Sequence, residues 1–513
     1  MFAQRALRPL SRARAFHFSA PRCALTPQIP LGRPLTSTDY TVQLMTAANS
    51  GRFADCLQLA ERMKKDGIKP DYTVYNVLMT FAARERSWLF AWAIFDDMIL
   101  AGVQPTAATF VHLIAAQAER PHINLWNALD RMQQFGIKPT APIYTAIIQC
   151  FAEEGNAESA LSQLLAMKRA GIVPELSAAQ SVISMVAVLG LARLAIELAL
   201  WFESVSNRRL ENHIWMECLH ASAKHLYLDG VLKCWPLVTG ELNLVPTELI
   251  TNAVLNTGAR HGHPELATEA LRLFQVANVE WKEYHFAALI EAFCRNDQLK
   301  EALQTLPIMK TSNIMPTPST TRFLLDAIKH DVSTLDAAWA IIDEIHAAGQ
   351  ELDIDSLKVI IEASIHLGDL QRAVGIYKSF SDYKLAPDLP TFYLLLDGCI
   401  GAQHRQLGDL LIEDMKVAQI KPDPVIFEKM IELCLTQEVY EDAFFYLEEM
   451  KAAGFVPPAT VYEAILQKTL VAEDTRSSLV LQEMQECGYS PRDTRSRPAA
   501  TAIRVNKTRR ARS

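Results

Sequence analysis

Proline returns through this chain at a nearly constant interval, and few folds accommodate that. From Pro70 the next copies fall at Pro105, Pro139 and Pro174, spacings of 35, 34 and 35 residues. Pro246, Pro316 and Pro387 continue at double spacing, with Leu210, Trp281 and Leu352 in the skipped slots, and Pro422, Pro457 and Pro491 return to single steps. One phrase surrounds most of these prolines, clearest at Met63-Lys64-Lys65-Asp66-Gly67-Ile68-Lys69-Pro70-Asp71. Gly102, Gly136, Gly171, Gly454 and Gly488 hold the equivalent place in other copies. A fixed period of this size marks a repeat architecture rather than a set of separate globules. Twelve steps separate Pro70 from Pro491 and one unit precedes them, giving thirteen repeats over residues 37–492.

Each unit has the pattern of a helical hairpin. In Tyr72–Thr106, Val74, Tyr75, Leu78 and Met79 recur at helical spacing and predict a first helix. A polar break at Arg84–Ser87 follows, and then Trp88, Ala91, Ile94, Phe95 and Met98 predict a second. Gly102 supplies a left-handed helix end, and Pro105 cannot continue the ladder. Two short helices cannot bury both their faces alone, so neighbouring units must stack into one continuous all-α superhelix. The most apolar stretch, residues 182–202, is interrupted by Arg193 and Glu197 and predicts a buried helix pair, not a transmembrane segment.

Charge divides the chain in three. Residues 1–36 carry six arginines and no acid, with Phe2, Leu7, Leu10, Phe16 and Phe18 between them, which reads as a mitochondrial presequence and lead-in. Arg14 to Ser19 fits a two-step matrix-processing signal, placing the mature start at Ala24. Residues 493–513 form a basic tail, expected to lack order. The middle holds 36 basic and 57 acidic residues, so any binding of a polyanion must be local. Nine cysteines are scattered without a CxxC pair, as for reduced, packed thiols. His261-Gly262-His263 lies at a turn with no cysteine nearby and reads as a loop pair, so no metal and no cofactor are expected. GxxxxGKS, HExxH and GxSxG are all missing from the sequence, and no domain follows the repeats within it. The expectation is a protein that is not an enzyme and has no small-molecule substrate.

The 35-residue unit, its early aromatic and the ending Met-Lys-x-x-Gly-Ile-x-Pro-Asp resemble the pentatricopeptide repeat, of the mitochondrial type. The best copies are residues 37–71, 72–106, 141–175, 389–423 and 424–458, while units between about 176 and 353 are degenerate. The resemblance implies a right-handed α-solenoid superhelix of about thirteen helix-turn-helix repeats. It also implies single-stranded RNA as the ligand, one base per repeat, read by two side chains. The first reader follows the aromatic of the first helix; the second is the last residue of the unit. Carried over, these positions are Thr41 with Asp71, a guanine-type pair, Asn76 with Thr106, and Thr145 with Glu175. Elsewhere the pattern decays: Val111, Ala287, Tyr393, Glu428 and Glu463 occupy first positions, and Gln180 stands with Glu211.

Two readings follow. Arg322 and Lys358 either touch RNA phosphates or pair with acidic neighbours, and the aromatic series Tyr75, Phe110, Tyr144, Phe392, Phe427 and Tyr462 either stacks bases or packs between hairpins. The first reading is a mitochondrial RNA-binding repeat protein acting in organellar mRNA processing, stability or translation, located in the matrix or peripheral to the inner membrane. The alternative is a protein-binding scaffold associated with the mitoribosome or the inner-membrane translation machinery. RNA binding requires a surface near Thr41–Lys358 that is locally neutral or positive. The scaffold predicts a negative one, with exposed apolar patches on units 5–8.

Overall fold

The computed structural model describes residues 36–118 and 123–489, so the basic N-terminal segment, the tail and the register of the processing signal lie outside the described residues. Among the described residues the chain is all-α: 26 α-helices pair into thirteen hairpins, with one short π turn and one 3₁₀ turn and no strand. First helices begin at Ser37, Tyr72, Ala107, Ala141, Leu176, Asn212, Glu248, Glu283, Pro318, Ile354, Leu389, Pro424 and Ala459. These starts are 34–36 residues apart, so the proline period survives through the degenerate units.

The repeated phrase is a helix-ending device. After Phe53–Lys65 the chain enters the left-handed region at Gly67, with φ of 76°. Gly67 N–H then donates to Lys64 O at 3.1 Å and Ile68 N–H to Met63 O at 3.1 Å. This paired bonding satisfies carbonyls that the helix end leaves open, and it brings the aliphatic residue against the methionine one turn back. The same bond ties Val103 to Met98, Ile137 to Met132, Ile172 to Met167, Ile314 to Met309, Ile420 to Met415, Phe455 to Met450 and Tyr489 to Met484. All eight methionines are buried. Methionine is suited to the place because its unbranched, soft side chain fills an irregular gap between hairpins. Where glycine is lacking, Asn313 and Gln419 adopt the positive φ instead, at 57° and 58°.

The chain falls into two units that meet in sequence between Val182 and Ile183, inside the first helix of repeat 5 (Leu176–Val188). Within the first unit the first helices pack in succession, Ser37–Asn49 on Tyr72–Arg84 and that on Ala107–Ala115 and then Ala141–Glu153. The same succession runs through the second unit from Asn212–Lys224 to Ala459–Val471. Cores are accordingly shared by neighbours: Ile431, Cys434, Ala443 and Leu447 of repeat 12 close with Val461, Tyr462, Ile465, Val480 and Met484 of repeat 13. Residues 182–202 form parts of two helices joined at Gly190, whose φ is 83°. No helix among the described residues is long and apolar enough to cross a membrane. One irregularity marks repeat 6, where Pro236, lacking an N–H, closes the second helix and Leu237–Glu241 continue as a π turn.

Candidate nucleic-acid interface

The two reader positions have distinct local chemistry. The last residue of a unit is also the N-cap of the next first helix. Asp71 Oδ1 accepts from Val74 N–H at 3.0 Å and from the Thr73 hydroxyl at 2.5 Å. Thr106 forms a capping box with Thr109, its N–H donating to Thr109 Oγ1 at 3.2 Å, while its hydroxyl meets the Tyr72 hydroxyl at 2.8 Å. Glu175 is half-buried, and its carbonyl accepts from Ala179 N–H at 3.1 Å. Short polar residues recur at this position because an N-cap prefers them, whatever else they contact.

First positions differ from one another. Thr41 is half-buried and donates to Ser37 O at 2.6 Å. Thr145 is only 6% exposed and donates to Ala141 O at 2.9 Å. A hydroxyl whose hydrogen goes to its own helix can offer only lone pairs outward. Asn76 is different: its Oδ1 is enclosed with no hydrogen-bond partner.

The two cations have different surroundings in the structure. Lys358 Nζ lies 2.5 Å from Asp355 and 3.0 Å from Asp388, with 15% of its side chain exposed. Burial pulls its pKa down, but the two carboxylates outweigh that and hold it above the ordinary lysine value. Lys358 is therefore a paired cation. Asp388 is the last residue of the same repeat, so both reader positions of repeat 10 close on each other. Repeat 11 does likewise, the Tyr393 hydroxyl donating to Asp423; burial first and this bond second push Tyr393 up to about 12. Glu428, in the next slot, is raised by burial and by Asp423.

Arg322 behaves otherwise. Its side chain is 75% exposed and 3.7 Å from Asp326. It lines a cavity of about 480 Å³ together with Arg260, Arg295, Glu291 and Phe323, all from first helices of repeats 7–9. Glu291 Oε1 accepts from Arg295 at 2.9 Å and lies 3.3 Å from the Arg260 guanidinium, an ion pair. Sequence reading missed Arg260 and Arg295, although both stand at the thirteenth place of their repeats.

The remaining candidates have structural roles. Tyr75, Phe110, Phe392 and Tyr462 are buried in the core, and Tyr144 and Phe427 are half-buried. Enclosed rings cannot stack on a base, so the four buried rings pack between hairpins. His261 Nε2–H donates to Leu226 O at 2.8 Å, and His263 Nδ1 caps the following helix by accepting from Leu266 N–H at 3.3 Å.

Comparison with known proteins decides the family. Residues 111–192 and 248–380 match the family described as pentatricopeptide repeat-containing protein, and residues 35–84 and 410–470 match the pentatricopeptide repeat domain. These segments together span more than half of the chain. The chain belongs to the pentatricopeptide repeat family. One curated relative is the chloroplastic pentatricopeptide repeat-containing protein 10 of Zea mays, 35% identical over 97 residues, which are 18% of this pentatricopeptide repeat protein and 12% of the maize one. Among solved structures, maize PPR10 is 15% identical with a TM-score of 0.34, covering 89% of this chain and 70% of that one. PPR10 in complex with an 18-nucleotide psaJ RNA element is 19% identical with a TM-score of 0.33, covering 91% and 82%. The pentatricopeptide domain of Arabidopsis thaliana protein-only RNase P 1, in complex with tRNA, is 18% identical with a TM-score of 0.31, covering 39% and 98%.

Proposed function

We propose that this pentatricopeptide repeat protein binds single-stranded RNA along its first helices, without catalysis, and serves organellar mRNA processing, stability or translation. The observation that carries the reading is the arginine-lined cavity of repeats 7–9. In an acidic body its three arginines outnumber the two carboxylates of its lining, Glu291 and Asp326, on the same helices that carry the reader positions, and the Arg322 side chain is largely exposed. Arginine there suits phosphate, which accepts two parallel hydrogen bonds from one guanidinium. The Thr41–Asp71 pair adds base chemistry: both groups offer acceptors, and guanine presents N–H donors on its Watson–Crick edge. A strand held extended in this way is kept from pairing and from nucleases. The arginine-rich residues 1–36 support mitochondria as the compartment.

Crosslinking and sequencing of RNA bound to the tagged protein in isolated mitochondria tests the reading. A footprint on one or few transcripts is expected, lost in a Thr41→Ala/Asn76→Ala/Thr145→Ala variant. With Arg260, Arg295 and Arg322 all changed to Gln, affinity should fall for every RNA alike, and the log–log salt slope should shrink by about 2. No enrichment above an untagged control would sink it.

A further inference from the structure

A second cavity has the opposite chemistry. It measures about 460 Å³, lies wholly within the second unit, and is walled by Val188, Met216, Leu244 and Ile250, with Glu217 and His220 among them. Glu217 Oε2 and His220 Nδ1 are both enclosed and have no hydrogen-bond partner. A carboxylate oxygen held without a partner beside aliphatic walls is unfavourable by itself and favourable once a cation reaches it. Of the lining residues Val188 is 78% exposed, and Val245 and Leu249, next in sequence to the lining Leu244 and Ile250, are exposed as well. Met216 occupies the first reader position of repeat 6, where no base edge could be read.

We infer that this cleft docks a polypeptide segment in which a lysine or arginine stands beside aliphatic residues. The stem of such a side chain packs on Val188, Met216 and Ile250, and its charged end meets Glu217 once that part-exposed side chain turns its enclosed Oε2 toward the cavity. Exposed Val188, with Val245 and Leu249 beside the lining residues, takes the neighbouring apolar residues. RNA fits poorly, because no lysine or arginine lines the cavity and Glu211, Glu241 and Glu248 stand exposed around the same hairpins. The strong acidic excess of the repeat region favours a basic partner at long range. The inference does not rest on RNA binding at the other repeats.

The test is selection from a phage-displayed random dodecapeptide library on the full-length protein at physiological salt, beside RNA dodecamers of U and of G. The expected consensus is one Lys or Arg flanked by Leu, Ile or Val. Selected peptides should bind at least tenfold more weakly to Glu217→Gln, and as well as before to Glu153→Gln, whose side chain pairs with Arg86 elsewhere. Met216→Lys supplies the carboxylate with its own cation and should also abolish binding. Both variants should melt no lower than the parent, since each relieves the unpartnered Glu217 oxygen. No consensus, a consensus without a cation, or equal binding by Glu217→Gln overturns the inference. So does RNA binding that depends on Glu217, which would give the cleft to nucleic acid. RNA binding that fails altogether while the peptides still select would sink only the reading of the preceding subsection.

Discussion

At Glu291 one carboxylate, 6% exposed, gathers two arginines from successive repeats. The arginine ends are half in water, which screens the pair, so Glu291→Gln should cost about 1–2 kcal/mol rather than the larger figure of a fully enclosed pair. Thermal unfolding of the variant checks this. His285 is a sharper residue-scale case. It is fully buried, stacked on Phe274 at 4.4 Å, and its Nδ1 accepts from Lys282 N–H at 3.1 Å. Burial holds its pKa below the ordinary value, with Glu248 opposing and Lys282 assisting. As pH falls through about 6.5, the unfolded chain takes up a proton that the folded chain refuses. Stability is therefore unaffected by this group above that pH and declines below it, levelling off beneath the folded pKa. Unfolding measured from pH 7 to 5 should show a shallower decline in His285→Asn, which keeps an acceptor for the cap. Neither partnership was legible in the sequence: Glu291 and Arg260 are 31 positions apart, and only the stacking of hairpins makes them neighbours.

At the scale of the element, the ending phrase was fully legible, because glycine, proline and a buried methionine each act within one helix turn. Its weaker copies give a direct test. Gln419 holds φ of 58° on an exposed turn, so Gln419→Gly should stabilise by about 1 kcal/mol in urea unfolding. Asp423 is the converse: it accepts from Ile426 N–H at 3.0 Å and from the Tyr393 hydroxyl, so Asp423→Ala should cost about 1–2 kcal/mol. Tyr393→Phe should cost less than Asp423→Ala, since the cap remains. Sequence reading placed the reader positions at the fifth and the last residue of the unit. It could not show that Lys358 with Asp388, and Tyr393 with Asp423, bond to each other, because each partner lies 30 residues away across a hairpin.

For the whole molecule, the proline period located the thirteen hairpins of the described residues, including those whose phrase has worn away between Leu176 and Asp353, since spacing outlasts wording. What stayed hidden was surface chemistry. The arginine cavity and the apolar cleft both lie in the degenerate repeats, where the family pattern offered no guide. Stability should follow the same one-dimensional order. Leu447→Ala, in the core that repeats 12 and 13 share, should cost about 2–5 kcal/mol. Hydrogen exchange should show lost protection in repeats 12 and 13 and none in repeats 1–4. The double duty of the last residue in each unit also bears on descent. A lineage that altered Asp71, Thr106 or Thr317 to recognise something new would be altering the start of a helix in the same step. Where Pro458 or Glu211 stands at that place, no side-chain cap bond forms. Val111, Met216 and Ala287, at the first position, carry no such obligation, and none of them could donate a hydrogen bond to a base through its side chain.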